Sequence, residues 1–194
     1  MSATHSDALP SFVRAFEQLV GSGADEAAIF RDGRTLLRIL IADDGWLPAA
    51  LAEPDPDGYR IHLLHLDPAR RFSVLAMVWG PGQGTPIHDH TVWGMVGVLR
   101  GRERCEEFGL PSRPGGPLLP GPVHELLPGD IDLVSPTIGD IHRVSNALPD
   151  GVSVSIHVYG GDLAALVRSR YDEAGRATPF VSPYASCLLP GRAC

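Results

Sequence analysis

From Tyr59 onward the chain is a succession of short apolar runs cut by glycine and proline, and that texture admits few folds. "YRIHLLHL", "RFSVLAMVWG", "VWGMVGVLRG", "HELLPGDIDLV" and "GVSVSIHVYGG" are rich in Val, Ile, Leu and aromatic residues. Turn-forming stretches separate them: "GPGQGTP", "PSRPGGPLLPGP", "SPTIGD" and "LPDG". Short strands at this spacing predict an all-β sandwich or barrel. The high content of Gly (22) and Pro (18) agrees with many turns and few long helices. The Pro111 to Pro122 stretch reads as a long exposed loop between two halves.

The first part of the chain has a different period. Phe12, Phe16, Leu19 and Val20 share one face of a helix predicted over Ser11 to Val20, with Ser11 as its cap. A second helix is predicted over Thr35 to Ile41, before Pro48, Pro54, Pro56 and Gly58 break the pattern. The expected organisation is therefore a helical segment over 1–50 packed on a β barrel with its C-terminal extension over 51–194.

Bulk properties exclude several classes. A chain of 194 residues, 44% hydrophobic, can bury a core without staples. The net charge of −7 argues against a surface that tracks phosphates, so no nucleic acid partner is expected. Cys105, Cys187 and Cys194 are too few and too irregular for a disulfide framework or a zinc knuckle. The opening "MSATHSDALPSF" has no basic region followed by an apolar run, and no stretch approaches a membrane span. A cytoplasmic protein without a membrane partner is expected; the sequence does not give the oligomeric state.

His88 and His90, in "PGQGTPIHDHTVWG", are two apart, and on a strand they point to one face. Two convergent imidazoles make half a metal site, although a bare pair also fits solvent-facing histidines on an edge strand. His142, in "SPTIGDIHRVSN", supplies a third ring between two strand-like runs. Together the two regions resemble the paired motifs of the cupin superfamily. Gly82, His88, His90 and Gly101 match the first motif, and Gly129, Pro136, Gly139, His142 and Asn146 match the second. The resemblance implies a double-stranded β-helix, or jelly-roll, barrel. Where most cupins carry a glutamate ligand this chain has Gly94, so the implied ligand set is His88, His90 and His142 alone. Three neutral imidazoles leave a divalent metal its full charge, which favours anionic ligands.

"VSVSIHVYGG" places Ser155, His157 and Tyr159 on one side of a strand, with Val154, Ile156 and Val158 on the other. Such a row is also compatible with polar groups merely satisfied at a barrel mouth. Three histidines without the acid, followed by Ser-x-His-x-Tyr, resemble the thiol dioxygenases of the cysteine dioxygenase type, over roughly Tyr59 to Tyr184. The resemblance implies Fe(II) on His88, His90 and His142, and addition of both atoms of O2 to a small thiol to give a sulfinic acid. It also implies that Tyr159 donates a hydrogen bond near the substrate or oxygen while His157 and Ser155 orient the phenol.

Animal-type members carry a cysteine near Gly94, joined covalently to the tyrosine. With glycine there, no crosslink is expected, and Cys105 reads as an ordinary strand cysteine. The "HDHTVWG" string is similar to the bacterial branch acting on 3-mercaptopropionate. That branch implies Arg168, with Arg170 as its neighbour, as the grip on a substrate carboxylate; a solvated surface arginine is the other possibility. The family also places a pocket residue on the strand "GYRIHLL", which the best register puts at Ile61, with Arg60 or His62 taking over if it slips. 3-Mercaptopropionate leads, with L-cysteine and mercaptosuccinate as alternatives. Trp79, Trp93, Met95 and Tyr184 are candidate pocket walls, whereas His62, His65 and His124 lie outside the motifs and are expected to be non-ligands. The rival readings are a cupin metalloenzyme of another reaction class and a non-catalytic cupin that binds a non-thiol ligand.

Overall fold

The computed structural model describes residues 7–113 and 115–188. Three helices come first: α1 (Ala8–Gly21), α2 (Glu26–Ala28) and α3 (Arg34–Leu40), the last two joined by a π-helical turn, Ile29–Gly33. The first helix starts three residues earlier than its apolar period suggested, and Ser11 does not cap it: the Ser11 hydroxyl instead accepts a bond from Arg14 at 3.1 Å. Its buried face is Phe12 and Phe16, as the period requires.

Among the described residues twelve strands follow. They are β1 (Arg60–Leu66), β2 (Ser73–Trp79), β3 (Ile87–His88), β4 (Gly94–Arg100), β5 (Glu103–Gly109), β6 (Leu119–Leu126), β7 (Ile131–Val134), β8 (Ile141–Asn146), β9 (Ser153–Tyr159), β10 (Arg168–Tyr171), β11 (Ala177–Phe180) and β12 (Ser186–Cys187). They form two six-stranded sheets, in the orders β12-β1-β2-β9-β4-β7 and β11-β10-β3-β8-β5-β6. All pairs are antiparallel except β1 with β12. Part of the expected Pro111 to Pro122 loop is strand: Pro120 in β6 faces Phe108 in β5. This is possible because β6 is the edge of its sheet, where a proline's missing N–H breaks no ladder.

The helices cover one face of the first sheet. Phe16 and Leu37 pack with Val74, Ala76, Val154 and Ile156. The alternate residues of the same strands, Leu75, Met77, Trp79 and Tyr159, turn into the barrel. That explains why every residue of β2 and β9 is buried: both faces are covered. It also assigns Met95 to the helical side, with Trp93 packed against it, so neither is a pocket wall.

The motif glycines Gly82, Gly101, Gly129 and Gly139 all have positive φ. Gly101 shows why: besides φ +86°, a Cβ there would lie 2.6 Å from the Ser153 Cα. Cys105 is free and buried, and Cys187 is disulfide-bonded. No helix among the described residues is long and apolar enough to cross a membrane.

Candidate metal centre

The three histidines meet because two strands and the segment that follows β3 bring them together. His88 on β3 stands directly opposite His142 on β8, and His90 lies two residues beyond His88. A ligand atom from each lies within 4.8 Å of the others. All three side chains are buried, at 6%, 0% and 5% exposure.

Each ring is oriented from behind through Nδ1. For His88 the partner is the Pro86 carbonyl at 3.0 Å, for His90 the Asp140 carbonyl at 2.9 Å, and for His142 the Cys105 Sγ at 3.5 Å. Nε2 of each ring is thereby left for the shared space, and in His90 it is a buried nitrogen with no hydrogen-bond partner. Orienting contacts of this kind accompany metal-ligating imidazoles. Burial first, and then the neighbouring imidazole, holds all three well below the ordinary histidine range, so they stand neutral with lone pairs available. The donor set therefore fits a divalent metal, and among the described residues no carboxylate belongs to this cluster.

Asp140 was not visible as a site residue in the sequence. Its Oδ2 accepts the backbone N–H groups of His90 at 3.0 Å and Thr91 at 3.2 Å, and Thr91 has φ +61°. A non-glycine residue in that region needs support, and Asp140 supplies it beside His90. Asp89, between the two histidines, points elsewhere. Its carboxylate accepts bonds from Ser169 N at 2.7 Å and Tyr171 Oη at 2.9 Å, holding β10 in place.

The row on β9 is connected. Ser155 Oγ lies 2.8 Å from His157 Nε2, and His157 Nδ1 lies 2.9 Å from Tyr159 Oη. Tyr159 stacks on His90 with ring centroids 5.4 Å apart, and Trp79 Nε1 donates to Ser155 Oγ at 3.2 Å. Burial raises the Tyr159 phenol above its ordinary range and lowers His157 to about 3, so both are neutral. Gly94 stands opposite Tyr159 in the sheet, and a Cβ there would lie 2.6 Å from the ring. Glycine has no side chain to form a crosslink at that contact.

His88, His142, His157, Tyr159 and Arg168 share one cavity of about 390 Å3, counting its mouth. Arg168 on β10 is 4% exposed, which rules out the solvated surface arginine. Its Nη2 donates to Ser182 Oγ at 2.5 Å and Nη1 to the Asp89 carbonyl at 3.4 Å, while Phe180 lies under the guanidinium at 4.6 Å. Among the described residues no carboxylate pairs with it, and Nε has no partner. Arg170, next but one, opens instead onto an adjoining surface depression.

Ile61 and Arg60 border the adjoining depression and not the cavity that His88 and His142 line. Arg60 is held by Asp55 through Nε at 2.9 Å and Nη2 at 2.7 Å, and Ile61 packs in the barrel wall, 5% exposed. The residue of this segment at the cavity is Tyr59, stacked on Trp79 at 4.8 Å. Of the other wall candidates, Trp79 lines the cavity, whereas Tyr184 lines the adjoining depression and donates to Asp162 at 2.7 Å. His62 bonds to Ser186, and His65 approaches Glu17. His124 pairs with Asp132 at 2.6 Å in a separate group with Cys105.

Two facing sheets around a buried three-histidine cluster make this a cupin barrel. A profile of the family described as "Cysteine dioxygenase type I" matches residues 42–173. The chain belongs to the cysteine dioxygenase type I family. It is 28% identical over 90 residues to "Cysteine dioxygenase type 1" of Bos taurus, a match covering 46% of this chain and 44% of that protein, less than half of either. Among solved structures it is similar to an uncharacterized conserved protein with a double-stranded β-helix domain from Klebsiella pneumoniae (TM-score 0.47, 17% identity, 70% of this chain and 93% of that one). It is also similar to a cupin-like protein from Thermotoga maritima (TM-score 0.43, 22% identity, 66% and 83%).

Proposed function

We propose that the protein is an iron(II)-dependent thiol dioxygenase that converts a small thiol carboxylic acid, 3-mercaptopropionate foremost, into its sulfinic acid. The observation that carries this reading is a buried guanidinium, with no carboxylate paired to it among the described residues, opening on the same cavity as His88 and His142. His88, His90 and His142 would hold the iron, which when bound supplies the redox chemistry that adds O2 to sulfur: RS− + O2 → RSO2−.

The remaining residues bind and orient. Arg168 would take the carboxylate in a two-pronged grip and fix the distance from carboxylate to sulfur. The Tyr159 phenol, held protonated by burial, would donate a hydrogen bond where negative charge develops on oxygen or sulfur. Met77, Trp79, Leu163 and Phe180 keep water from the reacting groups. Among the described residues the cavity lining contains no Asp or Glu, so the ammonium of L-cysteine would be desolvated there without an anionic partner, and Arg168 is the one guanidinium among them for the two carboxylates of mercaptosuccinate. Both features favour 3-mercaptopropionate.

The test is oxygen uptake by the iron-loaded protein with 3-mercaptopropionate, L-cysteine and mercaptosuccinate, with the sulfinate identified by mass. One O2 consumed per sulfinate, fastest with 3-mercaptopropionate, is expected; bound iron with no uptake on any thiol overturns the reading. His142→Ala should lose iron and turnover together. Tyr159→Phe should keep iron and turn over about 10- to 100-fold more slowly.

A further inference from the structure

A second group of metal-ligating side chains lies behind His142. Cys105 on β5 and His124 on β6 are directly paired, so their side chains leave the second sheet on one face. Asp132 comes to them from β7, at the edge of the first sheet. One ligand atom from each of the three lies within 4.8 Å of the other two. His124 Nε2 stands 2.6 Å from Asp132 Oδ2, and on the other side of the ring Nδ1 faces Glu107 Oε1 at 3.6 Å. Cys105 is buried, whereas His124 and Asp132 are half-buried.

A cavity gives an ion access to this group. It measures about 430 Å3 with its mouth, and Cys105, Glu107, Asp132, Asp140 and His142 line it. Among the described residues no Lys or Arg does so. Three carboxylates without a guanidinium or an ammonium make it a place where positive charge is favoured. His142 lines this cavity and also the one it shares with His88, and its Nδ1 lies 3.5 Å from Cys105 Sγ.

The donors name the ion. A thiolate, an imidazole and a carboxylate suit zinc(II), a borderline-soft ion that prefers four ligands at tetrahedral angles. Bonds of about 2.0 to 2.3 Å at such angles set the ligand atoms about 3.3 to 3.7 Å apart. The present separations run from 2.6 Å to at most 4.8 Å, so none has to change by more than about 1.5 Å to close on zinc.

We propose that Cys105, His124 and Asp132 form a second metal site, for zinc(II), which ties β7 of the first sheet to β5 and β6 of the second. Binding releases the Cys105 thiol proton to solvent and places a sulfur lone pair on the ion, with no electron transferred. His124 binds through Nε2 and keeps its proton on Nδ1, toward Glu107. The fourth position opens on the cavity and takes water. The sulfur, now anionic, accepts the His142 Nδ1–H more strongly, so the second ion also steadies one ring of the three-histidine cluster. This site does not depend on the thiol dioxygenase reading.

The test replaces zinc with cobalt(II), whose bond to a thiolate absorbs in the near ultraviolet, a signature that imidazoles alone do not give. Cys187 is disulfide-bonded and supplies no thiolate. Metal-free protein is titrated with cobalt(II), and the band and the ions bound per chain are read together. The parent should show the band, and added zinc(II) should bleach it. His88→Ala/His90→Ala should keep the band while binding one ion fewer than the parent; Cys105→Ser should lose it. No band in the parent, or a band that survives in Cys105→Ser, overturns the inference. Should Cys105→Ser not fold, His124→Ala decides. Removing this half-buried ligand should weaken the ion that gives the band by at least about tenfold, and an unchanged affinity overturns the inference. A band without any thiol oxidation supports the second site and removes the proposed function; thiol oxidation without a band does the reverse.

Discussion

The residue whose chemistry departs furthest from its usual state at neutral pH is Glu103. Its folded value of about 7 lies above the ordinary 4.5, so the folded protein holds a proton there that the unfolded chain releases. The sign follows. The carboxyl costs no stability below pH 4.5, where both states are protonated, and it weakens the fold progressively as pH rises from 4.5 to about 7. The full loss is on the order of 3 kcal/mol. Glu103→Gln cannot ionise, so the parent should lose stability relative to this variant by that order between about pH 4 and about pH 8. Urea unfolding of the metal-free proteins at both pH values measures it, and subtracting the variant removes the common contribution of the histidines. A constant difference across the window would mean that Glu103 is charged, or solvated, in the fold.

At the scale of elements, what matters is how closely β4 and β9 approach. Gly94 faces Tyr159 across this pair, and an added Cβ would also meet Val134 Cγ2 at 2.9 Å. Both neighbours are buried, so Gly94→Ala should displace the Tyr159 ring and separate it from His157, while His88, His90 and His142 stay in place. Turnover should fall by as much as about a hundredfold with iron content unchanged, since misplacing an orienting group by about an ångström costs that much. Measuring iron per chain and rate on one preparation checks this; an unaltered rate would show that the sheet yields at Gly94 without moving the phenol. The alternation of β9 was legible in the sequence because one strand faces two environments: Val154 and Ile156 meet the helices, and Ser155 and His157 meet the barrel interior. Alternation alone left β1 unresolved. Ile61 and Tyr59 share a parity, and which of them reaches the cavity depends on how far the strand runs past Trp79, a matter of tertiary packing.

On the scale of the whole molecule, the three histidines join β3, β8 and the segment that follows β3 into one cluster. β3 is only two residues long, so a metal here would tie together a thinly paired part of the second sheet. A bound ion stabilises by mass action, by about 2.7 kcal/mol at a hundredfold excess over its Kd. For a domain of this size that corresponds to a Tm higher by about 5 to 10 °C than in chelator-treated protein. A Tm indifferent to iron(II) and to chelator would mean that the cluster holds no metal in solution. The interaction is concentration-dependent, so a titration separates it from non-specific effects of the ion.

The sequence by itself determined the barrel class, the three histidines and the row on β9. The barrel texture and the row on β9 are written in local spacing, as period-two alternation and glycines where the chain must take positive φ, whereas the grouping of His142 with His88 and His90 was carried by the resemblance of the two motifs to the cupins. Only the tertiary structure decided what surrounds them. Tyr59, Phe180 and Ser182 reach the cavity from distant segments, Asp140 supports the backbone at His90, and Glu103 meets Ser153 from the other sheet. These groups are joined by burial and by pairing between remote strands, and neither burial nor remote pairing leaves a period in the chain.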